Sequence, residues 1–347
     1  MSAERIPCAL LGAGGYIGQH FLRLLAGHPE FELTALLGGR RTATRRIEEL
    51  WSLEGEAPTE FARRRIGIAS PTRLSRSGER VVFSALPSGT AGAIESELLR
   101  RGISVFTNAA DHREDARTSL LLPEVNGERF RRRRSRTPVL LANPNCTATG
   151  LALALAPVSS LLRPQLVVVS SYQALSGAGL DGLTRLRSPP NVIPFIEGEE
   201  PKVIRETRRL LGPALGRSAL EANCARVPVR DGHLEAVLVK AAGRPSTPEL
   251  FRGWSRFTPL ADWECPSAPD APVVVRREED RPQPLLDLWA GTPVQARGMA
   301  VTVGRVRWEP PYLRFFLLLH NAVRGGAGGS VLNAEYALAR GWLTHRS

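Results

Sequence analysis

Lysine is almost missing from this chain: Lys202 and Lys240 are the only two, so 44 of its 46 basic residues are arginines. With 34 acidic residues the formal net charge is +12, which ordinarily points toward phosphate backbones. Here the arginine preference runs through the whole sequence, so nucleic acid is not the expected partner. Long apolar runs are also lacking. The nearest candidate, LALALAPVSSLL from Leu151, is broken by Pro157 and falls short of the roughly 18 to 20 residues of a membrane span, so no membrane segment is expected. No basic leader and cleavage pattern precedes the first strand-like run, CALLG, which argues against export and for the cytoplasm. Cysteine is sparse, and Cys8, Cys146, Cys224 and Cys265 form no CxxC pair. That spacing excludes a disulfide framework and a zinc site, and no metal is expected.

What is present is 347 residues, 43% of them hydrophobic, enough for two ordinary cores. Up to about residue 145, β-rich runs (CALLG, RVVFSAL, SVFTNAA, PVLLA) alternate with helical patterns (YIGQHFLRLLAGH, GTAGAIESELLRRG). Such βαβ alternation predicts an α/β fold, a doubly wound Rossmann-type parallel sheet over residues 1–145. Residues 146–325 carry longer β runs, QLVVVSSYQAL, LEAVLVKAAG, MAVTVGRVRW and YLRFFLLLHN, without helices of matching length. They predict an α+β second domain with a mostly antiparallel sheet. A terminal helix within 326–347, with Val331, Leu332, Tyr336 and Leu338 at helical spacing, is expected to pack back on the first domain. The run ERFRRRRSRTP, including Arg131–Arg134, reads as a solvated loop, with a landing site for a polyanion as the sharper alternative.

The earliest motif is LLGAGGYIGQ, where Gly12, Gly14, Gly15, Tyr16 and Ile17 join a strand to a helix and are candidate pyrophosphate contacts. In a strict GxGxxG the third glycine falls on Ile17, whereas this chain offers a GxxGxxG spacing through Gly15 and Gly18. The second strand ends in GGRRTATRR rather than in an acid that would hold ribose hydroxyls. Arg40, Arg41 and Thr42 suit a 2′-phosphate, so NADP is the expected cofactor.

Cys146, in NPNCTATG, follows a strand and begins a helical pattern. A helix N-terminus favours a thiolate and can donate to an oxyanion, although a cysteine is as readily a small buried hydrophobe. His233, on an Asp-Gly turn before an apolar strand, is the histidine best suited to acid/base work. Arg226 could fork onto a carboxylate, or be one more surface charge. Glu199 and Lys202, three apart, face one side of a helix start; the residues alone slightly favour an ordinary surface pair.

In order along the chain, LLGAGGYIGQ, FSALPSG, LLLPEVN, NPNCTATG, YQALSGAG, NVIPFIEGEEPK, RVPVRDGHLEAV, RPQP, GMAVTVGR and NAVRGGAGGSVLNAE resemble the aspartate-semialdehyde dehydrogenases, in the branch typical of archaea and fungi. The resemblance implies reduction of L-aspartyl 4-phosphate with NADPH to the 4-semialdehyde and phosphate, in the route to lysine, threonine and methionine. It implies a catalytic and dimerisation role for the second domain and a homodimer or homotetramer. By the same resemblance Cys146 is the nucleophile forming a thioester, Gln173 orients the acyl group and His233 is the acid/base. Arg226 then binds the substrate carboxylate, Glu199 its ammonium, and Lys202 with Arg113 its phosphate. Ser176, Gly177 and Asn321 fall in segments that contact the cofactor.

Two other readings compete. A reductase of malonyl-CoA or another CoA- or carrier-activated acyl group would keep the cysteine, histidine and NADPH, but would give Glu199 no ammonium to pair with. An inactive basic regulatory protein on the same fold would have a damaged site, whereas every catalytic position is filled.

Overall fold

The computed structural model describes residues 5–115, 119–130 and 137–344. Seven strands form one sheet: β1 (Ile6–Leu11), β2 (Phe31–Gly38), β3 (Gly67–Ile68), β4 (Val81–Ser84), β5 (Ser104–Thr107), β6 (Ser119–Leu120) and β7 (Leu140–Ala142). Their order is β3-β2-β1-β4-β5-β7-β6, and every pair is parallel. Parallel neighbours need crossovers, and the helices covering both faces explain why the strands read as continuous apolar runs. Along β1 the side chains alternate between two cores, Cys8 and Leu10 into one, Ala9 and Leu11 into the other. Helix α1 (Tyr16–Leu25) covers the first face and α2 (Ala91–Arg100) contributes Leu98 to the second. The strand order reverses between β1 and β4, which opens a crevice at their carboxyl ends, where doubly wound sheets bind ligands.

The second sheet comprises β8 (Pro164–Gln173), β9 (Ala219–Arg226), β10 (His233–Ala241), β11 (Val273–Val275), β12 (Val301–Glu309) and β13 (Tyr312–Leu319), in the order β11-β12-β13-β10-β8-β9. Its three central junctions are antiparallel, and its two outer ones are parallel. Period-two burial sorts its side chains: Val167, Val169, Ser171 and Gln173 of β8, and His233, Glu235, Val237 and Val239 of β10, all face inward. Helix α3 (Cys146–Leu155) lies on that inner face and is buried from Thr147 to Leu155. Because neither side of it meets water, its sequence is apolar all round instead of striped. Helix α4 (Glu199–Leu211) packs on α3 and β9.

Helix α5 (Gly328–Ala339) leaves the second sheet and packs against α1 and β5, burying Val331, Leu332, Ala334 and Tyr336 in the first core. The arginine run Arg131–Arg134 lies outside the described residues.

Candidate active site

Cys146 is the first residue of α3, and Asn145 caps it by accepting the Ala148 N–H at 3.1 Å. Of the four cysteines, all free, Cys146 alone is only partly buried and the others are buried. Its thiol nonetheless lies high, pushed up to about 12 by burial first and by the Glu199 carboxylate second, against the pull of Arg113 and the Thr147 N–H. The helix start therefore does not by itself deliver a thiolate.

A network of amides and carboxylates holds this first turn. Glu199, the first residue of α4, is buried, and its Oε1 accepts from Asn145 Nδ2 at 2.8 Å and Gln173 Nε2 at 3.0 Å. Gln173 also donates to Thr147 Oγ1 at 3.0 Å, so the end of β8 and the starts of α3 and α4 meet at one point. The Glu199–Lys202 surface pair is therefore overturned: Glu199 is bonded to amides, and Lys202 makes no hydrogen bond or ion pair among the described residues. Parallel pairing sets Arg226, the last residue of β9, directly beside Gln173. Arg226 Nη1 donates to Ala174 O at 2.8 Å, so this arginine is a built part of the interior edge and not a loose surface charge.

His233 is wholly buried at the start of β10, and its Nδ1 accepts the Ala174 N–H at 3.2 Å. That bond leaves the proton of the neutral ring on Nε2, a buried atom without a partner among the described residues. Burial, with Arg226 second, lowers the ring to about 3, so it stays neutral at physiological pH. Both side chains close on Gly177, where a Cβ would lie 2.5 Å from Arg226 Nη1 and 3.3 Å from His233 Nε2. A side chain there would have to displace the Arg226 guanidinium. Asn321 ties the same region together, donating to Ser176 Oγ at 2.9 Å and accepting the Gly232 N–H at 2.8 Å.

Arg113, on the loop after β5, donates from Nη2 to Asn108 O at 2.7 Å and pairs through Nη1 with Glu206 of α4 at 3.2 Å. Its Nε is buried and unpartnered among the described residues. Lys202 stands one turn before Glu206 on the same helix, its ammonium near Gly198 and without a partner among the described residues, and Arg113 is the cation that acts on Cys146.

The glycine turn after β1 fits a dinucleotide. Gly12 has φ +79°, and a Cβ there would sit 2.6 Å from Ala85 O, while a Cβ on Gly18 would overlap the Gly12 carbonyl oxygen. The close-packing glycine is thus Gly18, whereas Ile17 plays no such part and packs against Gly326. Gly14 lies against the Thr42 methyl, a Cβ there falling 3.0 Å from it, which brings the loop after β2 to the edge of the turn. Arg45 and Arg46 are ion-paired with Glu49 and Glu48, but the exposed Arg40 and Arg41 have no such partner among the described residues. Guanidiniums on the two residues before Thr42, which meets the glycine turn, suit a 2′-phosphate. Tyr16 contributes differently from expectation, since its buried hydroxyl donates to both carboxylate oxygens of Asp231 at 2.8 Å. Gly15, the N-cap of α1, leaves that helix start open to an anion.

Four residues of this neighbourhood escaped sequence reading. Glu206 is seven residues after Glu199 and so on the same helical face, a signal available from spacing alone. Asn145 carried a cap signal. Gly325, where a Cβ would overlap that of Cys146, comes from a distant break before α5 and had none. Glu235 faces inward from β10 with both carboxylate oxygens unpartnered among the described residues, and burial, then Glu199, raises it well above the usual carboxylate range. It is a buried acid beneath the cysteine helix, its Oε1 facing Gly150. A cavity of about 830 Å³ opens elsewhere, beside Tyr16, His20, Asp231, Trp289 and His320, and none of Cys146, Gln173, Arg226 or His233 lines it.

Residues 7–133 match the family model "Semialdehyde dehydrogenase, NAD binding domain", and residues 155–324 match "Semialdehyde dehydrogenase, dimerisation domain". The chain is 40% identical to an aspartate-semialdehyde dehydrogenase of Archaeoglobus fulgidus, over 95% of this chain and 97% of that one. It is 32% identical to a malonyl CoA reductase (NADP) of Metallosphaera sedula, over 98% and 99%. Among solved structures, an aspartate semialdehyde dehydrogenase with NADP from Candida albicans superposes with a TM-score of 0.81 at 28% identity, covering 98% of this chain and all of that one.

Proposed function

Because the chain belongs to the aspartate-semialdehyde dehydrogenase family of oxidoreductases, we propose that it reduces L-aspartyl 4-phosphate with NADPH to L-aspartate 4-semialdehyde and phosphate through a thioester on Cys146. The observation that carries this reading is the convergence of Glu199, Gln173 and Asn145 on the first turn of the Cys146 helix, with Arg113 beside it. Glu199 Oε1 takes both amide donors, which leaves Oε2 without a partner among the described residues and available to an ammonium.

In this mechanism the Cys146 sulfur bonds to the acyl carbon, the bond from that carbon to the phosphate oxygen breaks, the thiol proton passes to the departing phosphate, and Arg113 and Lys202 hold that phosphate. Arg226 takes the substrate α-carboxylate. Gln173 and the α3 start orient the acyl oxygen. NADPH supplies, when bound, the hydride that converts the thioester to a thiohemiacetal; Gly12, Gly15, Gly18, Arg40, Arg41 and Thr42 would hold it, with Ser176, Gly177 and Asn321 shaping the nicotinamide side. His233 donates an Nε2–H hydrogen bond to the oxygen that becomes anionic; the carbon–sulfur bond then breaks as that oxygen's electron pair re-forms the carbonyl, which frees the aldehyde and leaves a cysteine thiolate that takes a proton from solvent.

The similarity to a malonyl CoA reductase supports a second reading, reduction of a CoA-activated acyl group by the same cysteine. NADPH oxidation measured side by side with aspartyl phosphate, malonyl-CoA and succinyl-CoA separates the two, and turnover only on a CoA ester sinks the first. Cys146→Ala is expected to abolish reduction on the true substrate while NADPH still binds; appreciable remaining turnover removes the thioester.

A cytoplasmic enzyme of amino-acid biosynthesis follows from this reading. So does a homodimer or homotetramer, supported by the dimerisation-domain match and by the exposed Phe195, Leu285, Leu286 and Val294.

A further inference from the structure

We propose that Glu206 is a positioning residue that ties the phosphate-binding arginine to the start of the nucleophile helix, keeping the departing phosphate in register with Cys146. This rests on the roles given above to Arg113 and Cys146.

Glu206 is buried on the inner face of α4, and its two carboxylate oxygens have different clients. Oε1 pairs with Arg113 Nη1 at 3.2 Å, and Oε2 accepts the backbone N–H of Asn145 at 2.5 Å. Asn145 in turn caps α3 through Ala148 and donates to Glu199. One carboxylate therefore joins three parts of the chain: the loop bearing Arg113, the residue before Cys146, and the helix bearing Glu199 and Lys202. Arg113 is gripped on two edges, by Glu206 and by Asn108 O, and its Nε remains buried without a partner among the described residues. A guanidinium held this way presents an unsatisfied edge in one orientation, which is what recognition of a leaving phosphate needs.

The chemistry of the position is specific to a carboxylate. Both clients are N–H donors, and a carboxylate accepts from both. Glutamine has the same shape but a single acceptor oxygen, so its NH₂ group would oppose either Arg113 or Asn145. Aspartate keeps the charge but is one methylene too short to reach both. Neither change touches Cys146, His233 or Arg226.

The test uses the full-length protein in the oxidative direction, with aspartate semialdehyde, NADP and inorganic phosphate varied in turn. Glu206→Gln is expected to raise the KM for phosphate about tenfold, as loss of a charge-assisted contact implies, while the KM values for aldehyde and NADP stay within about twofold. Arg113→Ala raises the phosphate KM as well, and adding Glu206→Gln to it produces no further rise. An unchanged phosphate KM in Glu206→Gln, or effects of the two substitutions that multiply, overturns the proposal. Glu206→Asp, expected to show the same phosphate-specific loss, stands in if the glutamine variant does not fold. A readout without turnover separates this claim from the functional reading: protection of Cys146 by phosphate against iodoacetamide. Wild-type protein protected by phosphate, with Glu206→Gln protected equally well, sinks the role of Glu206 alone; wild-type protein that phosphate does not protect sinks the anion site and Glu206 with it.

Discussion

At Cys146 two sets of forces oppose each other. The α3 start and Arg113 favour a thiolate, whereas burial and the neighbouring Glu199 favour the thiol, and the second set wins, with the group near 12. The sign follows directly: below that value the sulfur is protonated, so its reactivity rises with pH. Alkylation of Cys146 by iodoacetamide, followed by mass spectrometry of its peptide, should therefore quicken about tenfold per pH unit between pH 7 and 9. A plateau in that range would mean that the helix start dominates after all. His233 behaves oppositely. Its lowered ionisation, about 3, keeps it neutral, so activity lost between pH 7 and 5 must come from another group. None of this was legible in the local motif, because NPNCTATG announces a helix start but not the carboxylates that α4 and β10 bring to it.

The elements meet through positions too small to carry a side chain. At the break before α5, Gly325 lies so close to Cys146 that a methyl group there would overlap the cysteine Cβ, and the neighbouring helix is buried along its length. Gly325→Ala should displace the first turn of α3, lowering kcat at least tenfold and costing about 1 to 3 kcal/mol of stability, the usual range for overpacking. Steady-state kinetics and urea unfolding check both, and a variant with wild-type kcat would show that the approach is not needed. The individual elements were mostly readable: the alternation before residue 145 specifies βαβ units, and long β runs without helices between them mark β8, β10, β12 and β13. Strand β9 was not, since it joins β8 in a parallel pair through a distant crossover, and such pairing leaves no mark of its own in the sequence. That pairing sets Arg226 beside Gln173.

Across the whole molecule, the two sheets are joined by single contacts as well as by the shared helix α3. Tyr16, at the start of α1, donates to both carboxylate oxygens of Asp231 on the turn before His233, so the glycine turn and the proposed acid/base residue are linked by one bifurcated hydrogen bond. Tyr16→Phe removes it and should cost about 1.5 to 3 kcal/mol, as for hydrogen bonds to charged groups, with a higher KM for NADPH. Unchanged urea unfolding and KM would show that the two halves hold their relation without it. The sequence by itself determined the class of fold and the glycine turn, because each rests on local periodicity or on residues close together along the chain, and it singled out Cys146 and His233 as candidates. It also marked Glu199 and Lys202 without resolving their roles. Only the tertiary structure decided that Glu199 belongs to Asn145 and Gln173, that Gly18 is the close-packing glycine, and that Glu206 bridges Arg113 to the cysteine helix. Those contacts join elements 54 to 93 residues apart in the cases of Asn145–Glu199 and Arg113–Glu206, and two sheets and a buried helix must be packed before such groups meet.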